Sequence, residues 1–142
     1  MRQRQAIRAS VYRQAALARL AEAEYLEEAH PAGAIYLGGY VVECMLKWAI
    51  CQRQGTIYLE DLPDSKLPER LTGARGHDLD FLLEVSGLRP LLELDKELGK
   101  DFNKILFWNV ALRYKPDKGD VRAAIQFLAK VRELRHWLES IC

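Results

Sequence analysis

One face of the stretch from Pro31 to Gln54 carries residue types able to do chemistry. At about 3.6 residues per helical turn, Tyr36, Gly39, Tyr40, Glu43, Lys47 and Gln54 fall on that face. Glu43 and Lys47 stand i,i+4 in the favourable order. On a solvated edge they form a surface ion pair worth a few tenths of a kcal/mol. Inside a cleft they become a polar seam with two tyrosines beside it. The rest of this stretch is apolar nearly all round, through Ile35, Leu37, Val41, Val42, Met45, Leu46, Trp48 and Ala49. The seam reading gains weight from that, because such a helix has little other polar surface to show.

A second group is Arg113, Tyr114, Lys115 and Lys118. It closes one element and precedes the N-terminus of the next, where phosphate is favoured. Arg offers bidentate phosphate contacts, and Tyr offers a stacking face. Taken alone, basic residues near a helix C-terminus are explained as well by the helix dipole. A third group is Gly76-His77-Asp78-Leu79. His77 is a candidate general acid or base, with helix capping by His77 or Asp78 as the plainer alternative. Two Glu-x-x-His pairs, Glu27–His30 and Glu133–His136, have the form used by di-metal bundles. Their facing argues against that use: Glu133 and His136 lie opposite the Val131 stripe, and His30 sits at a helix end before Pro31.

The elements that must position these groups read as helices throughout. Periodicity near 3.6 recurs and strand-like alternation is scarce. The first helix runs from about Ser10 to Ala29, with Tyr12, Ala16, Leu20 and Ala23 inward. Pro31 opens the second helix and Gly55 stops it after Gln54. Residues 55–76 hold Gly55, Pro63, Asp64, Pro68, Gly73 and Gly76 and read as a long, largely irregular loop. Short helices are expected over Asp78–Val85 and Pro90–Gly99. A longer one is expected over Asp101–Arg113, with Phe102, Ile105, Asn109 and Leu112 on one face. The last begins at Asp120 and presents Val121, Ala124, Leu128, Val131, Leu134, Leu138 and Ile141. The expected architecture is all-α, an up-and-down bundle of about four to five main helices in a single domain over 1–142.

Composition bounds the function. The chain has 142 residues, with 49% hydrophobic and 29% charged, as a folded globular domain requires. Its 21 basic and 20 acidic residues leave a net charge of +1, so any nucleic-acid contact must come from a local patch. The charged start, with no apolar segment after it, reads as no signal peptide. The longest apolar run, Ala32 to Cys51, is interrupted by Glu43 and Lys47 and falls short of a membrane span. Cys44 and Cys51 lie roughly 10 Å apart along one helix, too far for a disulfide. With Cys142 they fit no zinc pattern and read as reduced thiols of a cytoplasmic protein.

Four segments in order resemble the HEPN family, the higher eukaryote and prokaryote nucleotide-binding domains. They are Ala34 through Lys47 with its Glu43-Cys44-Met45-Leu46-Lys47 end, Gly76-His77-Asp78-Leu79, Trp108 through Tyr114, and the last helix with Trp137 near its end. The resemblance spans roughly Ser10 to Leu138. It implies a helical bundle, usually a homodimer, often paired with a minimal nucleotidyltransferase in a toxin–antitoxin-like system. It implies no cofactor or metal. Active relatives are metal-independent ribonucleases that use an Arg, a polar neighbour and a His a few residues further on. Arg113 and Tyr114 match the start of that pattern. Lys118, Gly119 and Asp120 stand where the His would fall.

Three functions follow as expectations. A nucleotide-, RNA- or partner-binding module would gather Glu43, Lys47, Arg113 and Tyr114 in one cleft with no histidine beside them, with Tyr36, Tyr40, Asp78, Lys115 and Lys118 as further ligand-binding candidates. A ribonuclease with a non-standard site would bring His77 within reach of Arg113. A purely structural dimer would pair Glu43 with Lys47 across a two-fold axis.

Overall fold

The computed structural model describes residues 6–62 and 67–142. Its elements are α1 (Ala9–Leu26), α2 (Pro31–Gln54), α3 (Leu67–Thr72), α4 (Leu79–Ser86), α5 (Arg89–Leu94), α6 (Lys96–Ile105) and α7 (Val121–Ile141). Three 3-10 turns, Leu59–Asp61, Ala74–His77 and Val110–Tyr114, lie between them. The chain is an all-α bundle; among the described residues there is no strand beyond an isolated bridge between Arg8 and Tyr58.

α2 is the axis of the bundle. It packs along α1, against α7 and against α4, and touches two of the 3-10 turns. Its bounds follow from residue chemistry. Pro31 sits at the first helical position, and Gly55 closes the helix at φ 69°, a left-handed value that suits glycine. The amide of Ala32 donates to the carbonyl of Lys118 at 2.9 Å, so the loop before α7 satisfies one of the helix's open N–H groups. That bond also brings the basic segment to the start of α2. α1 buries Ala9, Tyr12, Ala16, Leu20 and Ala23. It ends at Leu26 rather than near Ala29, so Glu27 and His30 fall in the turn between helices.

By length and composition α2 is long and apolar enough to cross a membrane, contrary to the expectation from the sequence. Of its most apolar window, 72% is buried inside the chain.

The segment after α2 is not one irregular loop. Leu59, Leu62 and Leu71 are buried, and these anchors fold the described part of it onto the core as short helical pieces. Pro63 and Asp64, two of the expected breakers, lie outside the described residues. The helix expected over Pro90–Gly99 is divided: Asp95 ends α5 and caps α6, its side chain accepting from the Leu98 amide at 3.1 Å. The helix expected over Asp101–Arg113 stops at Ile105. Trp108 turns inward there to 3% exposure, and Asn109 caps the following 3-10 turn by accepting from the Ala111 amide at 2.9 Å. Phe102 and Ile105 are buried, but Asn109 is exposed, so the anticipated face does not continue. α7 starts after Asp120, whose side chain accepts from the Arg122 amide at 3.0 Å. Its buried stripe is Ala124, Phe127, Leu128, Val131, Leu134 and Leu138, while Val121 and Ile141 are exposed.

Candidate functional site

The polar face of α2 is buried along its middle. Glu43 is 5% exposed and Lys47 6% exposed. The Lys47 ammonium donates to Glu43 Oε2 at 3.2 Å. Glu43 Oε1 lies 2.6 Å from Nδ1 of His77, which arrives on the 3-10 turn Ala74–His77. The solvated-edge reading of this pair is therefore replaced by the seam reading. Gln54, at the exposed end of the helix, takes no part.

Two glycines let this arrangement close. A Cβ on Gly76 would lie 1.9 Å from the Leu71 carbonyl oxygen, so only glycine lets the turn pass beside α3 with His77 facing α2. A Cβ on Gly39 would lie 1.9 Å from the Trp108 ring. With no side chain there, the indole rests directly on the α2 backbone and donates from Nε1 to the Tyr36 carbonyl at 3.0 Å. Trp108 in turn supports Tyr40, ring centroids 5.1 Å apart in an edge arrangement.

From His77 the seam continues through aromatic rings. The Tyr40 and His77 rings meet edge to face at 6.0 Å. The Tyr40 and Tyr36 hydroxyls are 3.1 Å apart and share a hydrogen bond. Burial, then the bond to Tyr36, drives the Tyr40 phenol well above its ordinary value, and the charge of Arg113 pulls it partly back. The Arg113 guanidinium, fully open to solvent, is raised first by Tyr114 and then by Tyr36. The contacts thus run Lys47, Glu43, His77, Tyr40, Tyr36, with the charge of Arg113 felt at the two tyrosines.

The outer end is different in kind. Arg113 lies 4.9 Å over the ring of Tyr114, and Tyr114 is 74% exposed. Lys115 and Lys118 are also exposed. Asp78 is committed to capping α4, its Oδ1 accepting from the Phe81 amide at 3.1 Å. Among the described residues no group of three or more His, Cys, Asp or Glu converges to hold a metal ion. His30 and His136 are both exposed. A groove of about 620 Å³ lies against Leu98, Arg132, Glu133, His136 and Trp137 on α6 and α7, and it holds none of the seam's groups.

Sequence reasoning missed Tyr12 as part of this site. Its ring centroid lies 5.7 Å from the Lys47 ammonium, and burial lifts its phenol to about 12. Spacing along α1 gave it only an inward position.

The arrangement can hold a proton. With Glu43 as a carboxylate, His77 donates Nδ1–H to it and keeps a lone pair on Nε2. The His77 side chain is 40% exposed, while its Nδ1 edge is held by Glu43. Compared with models of protein families, with curated proteins and with solved structures, the chain finds no match.

Proposed function

We propose that this chain is an RNA-directed helical module that grips phosphate and base at Arg113 and Tyr114 and cleaves the strand by acid–base chemistry at His77. One observation carries the reading: His77 Nδ1 sits 2.6 Å from a buried carboxylate, in the same seam as the Tyr36–Tyr40 pair that Arg113 senses. A binding module without catalysis would need no oriented histidine there. Within the chain Glu43 and Lys47 pair along one helix.

In this reading His77 Nε2 takes the proton of a ribose 2′-hydroxyl. The 2′-oxygen attacks the adjacent phosphorus, and the bond to the 5′-oxygen breaks. The imidazolium formed is held by Glu43 and returns its proton to the departing 5′-oxygen, leaving a 2′,3′-cyclic phosphate. Arg113 offsets charge developing on the phosphate oxygens, Tyr114 stacks on a base, and Lys115 and Lys118 add a local positive field to a nearly neutral chain. The resemblance to HEPN modules leads the same way. It also brings into the proposal a homodimer, a cytoplasmic setting and a nucleotidyltransferase partner in a toxin–antitoxin-like pair.

The second reading, binding without cleavage, is favoured by Lys118, Gly119 and Asp120 standing where active relatives carry a His after the Arg. The test is RNA degradation by the purified protein in chelator, wild type against Arg113→Ala and His77→Ala. The proposal expects cleavage that both substitutions abolish or severely reduce. RNA retention by the wild type with no cleavage would sink the catalytic reading and leave the binding module.

A further inference from the structure

We infer that Lys47 is a positioning residue that orients Glu43 and tempers the carboxylate's hold on the His77 proton. The inference rests on the reading of His77 as the acid–base group.

The Lys47 side chain is 8% exposed and that of Glu43 is 6% exposed. Taking such a pair out of water costs several kcal/mol per ion before their attraction returns anything. Apolar residues would fill these two positions on an otherwise apolar helix at less cost. The surroundings are shaped around the ammonium. Glu43 Oε2 lies 3.2 Å away, the Tyr12 ring 5.7 Å away, and a Cβ on Gly76 would come within 3.3 Å of Nζ.

Two consequences follow. Lys47 occupies Oε2, so Glu43 has one oxygen left for His77, and the carboxylate cannot turn. Lys47 also offsets the carboxylate charge that His77 feels. A lone carboxylate at hydrogen-bond distance favours the imidazolium, and the Lys47 charge weakens that pull. With Lys47 on Oε2, the carboxylate still fixes Nδ1–H of His77 through Oε1.

The other groups facing His77 do not supply this balance. Tyr40 and Tyr12 are phenols raised by burial, neutral at pH 7. Arg75 is turned onto the Phe81 ring at 4.9 Å, and Asp78 caps α4. Arg113 is exposed to solvent, and its charge is felt at Tyr40. The Cys44 thiol beside the pair is pushed up to about 11 by burial and is neutral as well.

The experiment follows the His77 ring protons by NMR across pH in wild type, Lys47→Met, Lys47→Arg and Glu43→Gln, with His77→Ala to assign the signal. Lys47→Met should raise the His77 midpoint by about one pH unit, Lys47→Arg should leave it near the wild-type value, and Glu43→Gln should lower it. A Lys47→Met midpoint equal to or below wild type overturns the inference. Lys47→Met strands Glu43 at a destabilising cost, so the wild-type protein supplies a second test. The Lys47 side-chain carbon signal should shift at the His77 midpoint, and a flat signal through that midpoint also overturns it. No RNA enters either measurement, so failure here is distinct from failure of the cleavage assay.

Discussion

The two ends of the seam solve opposite problems. At the inner end Lys47, Glu43 and His77 are joined by short polar contacts within the packed bundle. At the outer end Arg113, Tyr114, Lys115 and Lys118 are exposed on a short 3-10 turn and the loop after it. Geometry is fixed where a proton must be handled, because a small misplacement there is costly. Geometry is left loose where a long, charged strand must be gathered, because attraction to phosphate is long-ranged and tolerant of position. Substitutions should therefore affect the two ends through different measurements.

The largest expected effect comes from the packing that supports the inner end. Gly39→Val would drive a side chain into the Trp108 ring, 1.9 Å from where its Cβ must sit. Overpacking of this kind costs about 1–3 kcal/mol or more, measurable as a lower urea midpoint, and Tyr40 should lose its support along with Trp108. Retained stability would mean that Trp108 is not locked against α2.

Arg113→Ala should do the reverse. Stability should stay within about 0.5 kcal/mol of wild type, since the guanidinium is on the surface. RNA affinity should fall, and the slope of log affinity against log salt should flatten by about one unit. A stability loss as large as that of Gly39→Val would erase the distinction between the two ends.

How much of this was readable beforehand depends on range. The bounds of α2 were legible because Pro31 and Gly55 act locally, and the start of α7 was legible from Asp120. The polar face of α2 was legible from periodicity alone. The contact of His77 with Glu43 was not, because it joins residues 34 apart and depends on how the 3-10 turn Ala74–His77 lies against α2. Nor was the break at residues 106–109. Phe102, Ile105, Asn109 and Leu112 keep helical spacing, yet burying the Trp108 indole on Gly39 outweighs continuing the helix. Gly76 reads in sequence as a turn residue, while its demonstrated role is close passage beside Leu71.

A smaller effect concerns pH. The Tyr12 phenol lies at about 12 in the folded chain against an ordinary 10.0, chiefly through burial. The folded state therefore holds this proton more tightly than the unfolded chain does. Its contribution to stability is full below pH 10 and is lost as pH rises through 10 to about 12. Wild type should lose stability across that window more steeply than Tyr12→Phe, by chemical denaturation at stepped pH. Equal slopes would mean that Tyr12 is not desolvated beside Lys47.

The smallest effect is chemical. The Cys44 thiol, raised by burial to about 11, should alkylate slowly at pH 8 in the native protein and rapidly once unfolded. Fast native labelling would show that this flank of the inner end is open to solvent.

The most direct test of the central claim is an analysis of RNA ends after incubation with wild type and with His77→Ala, chelator present in both. The account predicts 2′,3′-cyclic phosphate and 5′-hydroxyl ends from wild type. It predicts a rate lower by about 10²–10⁴ for His77→Ala, with its helical content and RNA binding retained. Equal cleavage by the two proteins, or none by wild type, would contradict it.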